Sequence, residues 1–132
     1  MPHPWERLGF PTIVLPPSAL SSPEAAIRFL VGDLARAGHF RVEQTERVAC
    51  QILHRESFGA TAIGRGVAIP HSKSDVVEDV IGIVGCSAQG VIWPGAIDDD
   101  PVCVVCLLIT PASKPGDCLR ALELISRQLR GG

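Results

Sequence analysis

Arg55-Glu56-Ser57-Phe58-Gly59-Ala60-Thr61-Ala62-Ile63-Gly64-Arg65-Gly66-Val67-Ala68-Ile69-Pro70-His71-Ser72-Lys73 is where a helical pattern gives way to a strand pattern. Ser57 and Gly59 mark a helix exit. Gly64 and Gly66 flank Arg65, so the backbone there is free to turn tightly or to approach a ligand closely. Val67 to Ile69 then reads as a short strand, and Pro70 stiffens its exit. His71 follows directly, at the point where a strand is expected to become a loop, exposed on a rigid support.

Working outward, the residues before this stretch are helical in period. Ser22 and Pro23 suit the N-cap and the first helical position. Ile27, Leu30, Val31 and Leu34 follow at helical spacing, and Gly38 is a plausible stop. A second helix is expected over Glu43 to Arg55, with Val48, Ile52 and Leu53 on its apolar face. Further upstream, Pro11, Pro16 and Pro17 forbid a helix, and Ile13-Val14-Leu15 fits a short edge strand. Residues 1–11 read as a loosely ordered lead-in.

After His71 the apolar runs are short and rich in β-branched residues: Val80 to Cys86, then Val102 to Ile109. The last is apolar on both faces, as a central strand would be. Asp98-Asp99-Asp100-Pro101 is a turn leading into it. Pro111 to Gly116 is a loop, and a third helix starts at Asp117, with Leu119, Leu122, Ile125 and Leu129 on one side. Two helices, several strands and a helix predict an α/β fold: a mixed β-sheet flanked by helices in a single compact domain spanning 1–132.

Composition fits that outline. The chain has 132 residues, of which 46% are hydrophobic and 20% charged, enough apolar material for one real core. Twelve basic against 14 acidic side chains give a net charge of −2, with no basic surplus for nucleic acid. No apolar run reaches the roughly 18 residues a bilayer span needs. The start, Met1-Pro2-His3-Pro4-Trp5, lacks the apolar segment of a signal peptide, so direct membrane insertion is not expected and the expected address is the cytoplasm. Five cysteines, an odd number scattered through apolar segments, make a poor disulfide framework and suit a reducing compartment. Cys103 and Cys106 have the spacing of a redox or zinc pair but lie within a strand, where their side chains point to opposite faces.

A neutral imidazole is a competent nucleophile near pH 7. A phosphoryl group on its nitrogen calls for a guanidinium and hydroxyl or backbone donors nearby, and Arg55 and Thr61 are candidates to supply them. Taken alone, His71 reads more readily as a loop residue beside a proline, the commoner case for one histidine without context.

The motif as a whole decides between the two. Arg55-Glu56, Thr61, Gly64, Gly66, Val67-Ala68-Ile69 and Pro70-His71 resemble the signature of the fructose/mannitol/nitrogen-type enzyme IIA domains of the bacterial phosphotransferase system. Gly90-Val91-Ile92-Trp93, Ala96-Ile97-Asp98, Pro101-Val102 and Leu119 to Ile125 resemble later parts of the same family, so the likeness runs over residues 12–130. It implies that His71 accepts phosphate from an HPr-like phosphocarrier and that Arg55 neutralises the phosphoryl group. It implies further that Glu56, Thr61, Gly64 and Gly66 build or support the pocket. The acceptor would be a IIB component or a regulated protein, and neither a metal nor a cofactor is called for. Cys118 stands where members often carry a second histidine close to the acceptor. A thiol donates and accepts only weakly, which implies slower or altered transfer. Members usually continue through a further helix beyond Leu129, so thinner apolar cover is expected there. The competing function is a regulatory binding module that keeps the fold without transfer. A metal or redox protein rests only on the cysteines.

Overall fold

The computed structural model describes residues 9–131, with side chains described as far as Arg127. Six strands form one mixed sheet: β1 (Thr12–Val14), β2 (Ala62–Gly64), β3 (Val67–Ala68), β4 (His71–Ser74), β5 (Ile81–Val91) and β6 (Val102–Pro111). Three helices flank it: α1 (Pro23–Arg36), α2 (Thr45–Glu56) and α3 (Pro115–Gly131). The strand order is β1-β5-β6-β3-β2, with β4 also paired to β6. β1 runs parallel to β5, β5 antiparallel to β6, and β3 and β4 follow one another parallel to β6.

The apolar run expected at the centre is there. β6 is bordered by β5 on one side and by β3 and β4 on the other. Its alternate side chains feed two cores. Val105, Leu107 and Ile109 pack with Ile27, Leu30, Val31 and Leu34 of α1 and Val48 and Ile52 of α2. Cys106 and Leu108 pack on the opposite face with Ile69, Val84 and Ile125 of α3. Each fully buried aliphatic side chain is worth about 1.5–3 kcal/mol, so the period-two alternation of β6 ties the three helices to one sheet.

Local signals behave as their chemistry dictates. The Ser22 hydroxyl accepts from the Ala25 amide at 3.0 Å, with Pro23 opening the helix. Gly82 and Gly85 lie bare on opposite faces. A Cβ at Gly82 would stand 2.4 Å from the Phe10 ring, and one at Gly85 2.7 Å from Leu15. Phe10 therefore packs against the sheet, while residues 1–8 of the expected lead-in lie outside the described residues.

Several boundaries differ from expectation. The chain does not become a loop at His71, because β4 carries on through Ser74, paired with Leu108 to Pro111. Ser-Lys-Ser has little intrinsic strand preference, and the exposed edge of β6 supplies the pairing. β5 runs on to Val91 through a register shift between Cys86 and Val91. Helix α3 begins at Pro115, and its inner side is set by Cys118 and Ile125. Leu119, expected on that side, is exposed. The side chain of Leu129 lies outside those described.

Candidate active site

Arg65 and Gly66 are the two central residues of the β2–β3 hairpin, and both have positive φ, 58° and 76°. That is the conformation of a type I′ turn, which matches the twist of its strands. Asp98 steadies the turn by accepting from the Arg65 amide at 3.2 Å. The Gly66 carbonyl accepts from both Cys103 and Val104, seating the hairpin on β6. Gly64, just before the turn, also has a positive φ, 89°, so the two glycines shape the support, and neither lines the cleft at His71.

Ile69 and Pro70 link β3 to β4. The Ile69 amide donates to the Thr61 carbonyl at 3.1 Å, and the Leu108 amide donates to the Pro70 carbonyl at 3.0 Å. Proline has no N–H to be left without a partner here. His71 lies in register with Leu108, so its side chain rises on the α3 face of the sheet.

The imidazole is half-buried and held by one bond: Nδ1 lies 2.7 Å from the Ile69 carbonyl oxygen. A carbonyl only accepts, so Nδ1 carries the proton and Nε2 keeps its lone pair. Burial holds the His71 pKa below the ordinary histidine value. The Arg55 charge pushes the same way, against the Ile69 carbonyl and Glu56. The ring is therefore neutral, with a fixed tautomer and a free Nε2.

His71 opens onto a cleft of about 280 Å³. Its polar lining is Arg55, Thr61, His71 and Ser126, and its apolar walls are Ala60, Ile63, Ile69 and Leu122. Arg55 comes from the last turn of α2, where one guanidinium nitrogen donates to the Gly59 carbonyl at 3.2 Å. Glu56, the next residue, holds the loop in place. Its Oε2 accepts from the Thr61 amide at 2.8 Å and the Trp93 indole N–H at 3.0 Å, and its Oε1 accepts from the Thr61 hydroxyl at 2.8 Å.

The structure thus brings Arg55, Thr61 and His71 onto one cleft, with Glu56 supporting Thr61 from behind and Gly64 and Gly66 further out. Cys118 does not line the cleft. It is buried at 8% exposure, one turn before Leu122 on the same helical stripe. Helix α3 presents Leu122 and Ser126 to His71, a full turn and more beyond the position the sequence singled out. Ser126 has a weak sequence signal: it continues the i, i+4, i+8 row through Cys118 and Leu122. Trp93 is a buried core aromatic whose N–H has a partner, and that partner could not be read from spacing. His54 is exposed and packs edge-on against Phe58, away from the cleft lining. Cys106 lies in the apolar core, which pushes its thiol up to about 12. Among the described residues no group of three or more His, Cys, Asp or Glu side chains is placed to hold a metal ion.

Residues 11–130 match the family described as phosphoenolpyruvate-dependent sugar phosphotransferase system, EIIA 2. The chain belongs to that family. As an EIIA domain it is 34% identical over 128 residues to a nitrogen regulatory protein of Bradyrhizobium diazoefficiens, covering 96% of this chain and 80% of the relative. Its fold is that of nitrogen regulatory protein IIA-Ntr from Neisseria meningitidis, with a TM-score of 0.72 at 24% identity over 88% of this chain and 75% of that one. It is also that of the Escherichia coli complex of enzyme IIA-Mtl with phosphorylated enzyme IIB-Mtl, with a TM-score of 0.63 at 22% identity over 84% and 75%. The mixed sheet with its flanking helices is the EIIA fold, and the family places the domain in phosphotransfer.

Proposed function

We propose that this EIIA domain is a phosphohistidine carrier: Nε2 of His71 accepts a phosphoryl group from an HPr-like protein and passes it on. The observation that carries this is the bond from Nδ1 to the Ile69 carbonyl, which leaves a neutral ring with its free nitrogen in a cleft shared with Arg55. In the transfer, the bond from phosphorus to the donor imidazole breaks as the bond to Nε2 forms. The donor keeps the electron pair of the broken bond, and the proton on His71 Nδ1 stays there, hydrogen-bonded to the Ile69 carbonyl. Charge gathers on the three equatorial oxygens, where Arg55 neutralises it. Positioning does the remaining work, and Glu56 supplies part of it by fixing the loop that carries Thr61.

The recipient is a IIB component or a regulated protein. The E. coli complex pairs a domain of this fold with a phosphorylated IIB, and the Bradyrhizobium relative is named for nitrogen regulation. Among the described residues no helix is long and apolar enough to cross a membrane, and we place the carrier in the cytoplasm with its donor.

The test is intact mass after incubation with phosphoenolpyruvate, enzyme I and HPr. An acid-labile gain of one phosphoryl group, absent in His71→Ala, is the expected result. A gain that survives in His71→Ala removes the assignment. No gain in a folded wild-type protein with its cognate donor favours a binding module that controls its partner without transfer.

A further inference from the structure

The phosphoryl group needs hydroxyl or amide donors as well as a guanidinium, and the cleft contains two hydroxyls, Thr61 and Ser126. A hydroxyl has one proton to give. The Thr61 proton is already given, to Glu56 Oε1 at 2.8 Å, and its amide proton goes to Glu56 Oε2. A carboxylate cannot donate in return, so the Thr61 hydroxyl can offer the cleft only lone pairs, which an anion repels. Ser126 is different. It stands half-buried on α3 and lines the same cleft as His71 and Arg55, and its hydroxyl makes no hydrogen bond to another described residue. Its neighbour in the cleft wall, Leu122, is apolar, so no other hydroxyl of α3 competes for the space.

We infer that Ser126 is a further catalytic residue, whose hydroxyl donates to an equatorial oxygen of the phosphoryl group on His71 Nε2. Arg55 and Ser126 then grip that group from two elements, the end of α2 and the face of α3. The serine proton stays on its oxygen throughout, and only the N–P bonds change. This rests on His71 being the acceptor, and the experiment separates the two claims.

The full chain is phosphorylated in single turnover by a phosphorylated HPr-type donor and followed by rapid quench and intact mass, for wild type, Ser126→Ala, Ser126→Thr and His71→Ala. Ser126→Ala is expected to slow transfer roughly ten-fold or more, the size of a lost hydrogen bond to a charged group. Half-saturation by the donor and the melting temperature stay unchanged, because neither docking nor packing uses the hydroxyl. Ser126→Thr keeps the hydroxyl and most of the rate. The ³¹P resonance of the phosphohistidine moves in Ser126→Ala and not in Ser126→Thr. A Ser126→Ala protein with the wild-type rate and an unmoved ³¹P resonance overturns the inference while His71 stands. Threonine as slow as alanine, with a lowered melting temperature, overturns it in favour of packing. Phosphorylation that survives in His71→Ala removes both claims.

Discussion

The carboxylate of Glu56 joins the helix that bears Arg55 to two other parts of the chain, and removing it should be costly in a way that can be apportioned. Glu56→Ala strands two buried donors, the Thr61 amide and the Trp93 indole N–H, on residues exposed at 7% and 4%. Each buried donor left without a partner costs about 1–3 kcal/mol. Glu56 itself is only half-buried, so water can reach part of the gap, and about 2–4 kcal/mol is expected in total. Glu56→Gln should cost only about 1 kcal/mol. Its amide oxygen can take both N–H donors, and its NH₂ can donate to a rotated Thr61 hydroxyl. Trp93→Phe keeps the ring packing and loses one N–H, for about 0.5–1.5 kcal/mol. The deciding quantity is the cycle between them. In the Glu56→Ala background Trp93→Phe removes an orphan donor, so its cost should vanish or reverse, giving an interaction energy of about 1–2 kcal/mol. Urea unfolding followed by circular dichroism measures all four proteins, provided the slope m is unchanged. If Trp93→Phe costs the same with and without Glu56, the bond contributes nothing and the account of the loop is wrong.

Two more expectations follow from the site. His71 has a lowered pKa in the folded state, so the unfolded chain holds more protons below about pH 6.5 and stability falls as pH drops through that value. His71→Gln should flatten the loss in denaturation curves taken between neutral and acid pH. The acid limb of phosphoryl acceptance should likewise have its midpoint below about 6.5, and should move lower still in Glu56→Gln, which removes a charge that raises the pKa. A midpoint at the free-imidazole value would contradict the buried, neutral ring. Cys118→His, at the position where the resemblance suggested a second histidine, forces a larger polar ring into a buried position that does not line the cleft. It should destabilise by about 1–3 kcal/mol and leave transfer no faster, as thermal melts and single-turnover rates on the same preparation will tell.

Much of the fold was legible because it is written in period and punctuation. Val102 to Ile109 is apolar at every position, as a strand covered on both faces requires. The Ser22-Pro23 start and the spacing of Ile27, Leu30, Val31 and Leu34 define α1 without tertiary help. β2 and β4 were not legible. Neither has an apolar pattern of its own: β2 is held by β3 across the turn at Arg65–Gly66, and β4 by the free edge of β6. Leu119 was misassigned for a related reason. An apolar residue in a helix fits either of two adjoining faces, and only the position of the sheet decides which one is buried.

The site divides along another line. Arg55, Thr61 and His71 were legible as residue types, because a phosphoryl acceptor needs a nucleophile, a cation and a hydroxyl. What each one does there depends on where its protons go, and spacing carries no such information. The partner that fixes the His71 tautomer is a backbone carbonyl, which every residue possesses, so no side chain marks Ile69 for that task. Thr61 lies at the motif position and in the cleft, yet Glu56 takes its proton, so the residue that looked like a donor to phosphate is a strut. The same bond shifts the need for a hydroxyl donor onto the opposite wall, where Ser126 stands on a helix chosen for its apolar stripe. The motif therefore locates the chemistry and marks Thr61 as pocket support, while residue type alone suggested a donor. The hydrogen bonds of a single carboxylate, Glu56, are enough to move that role from one element to another.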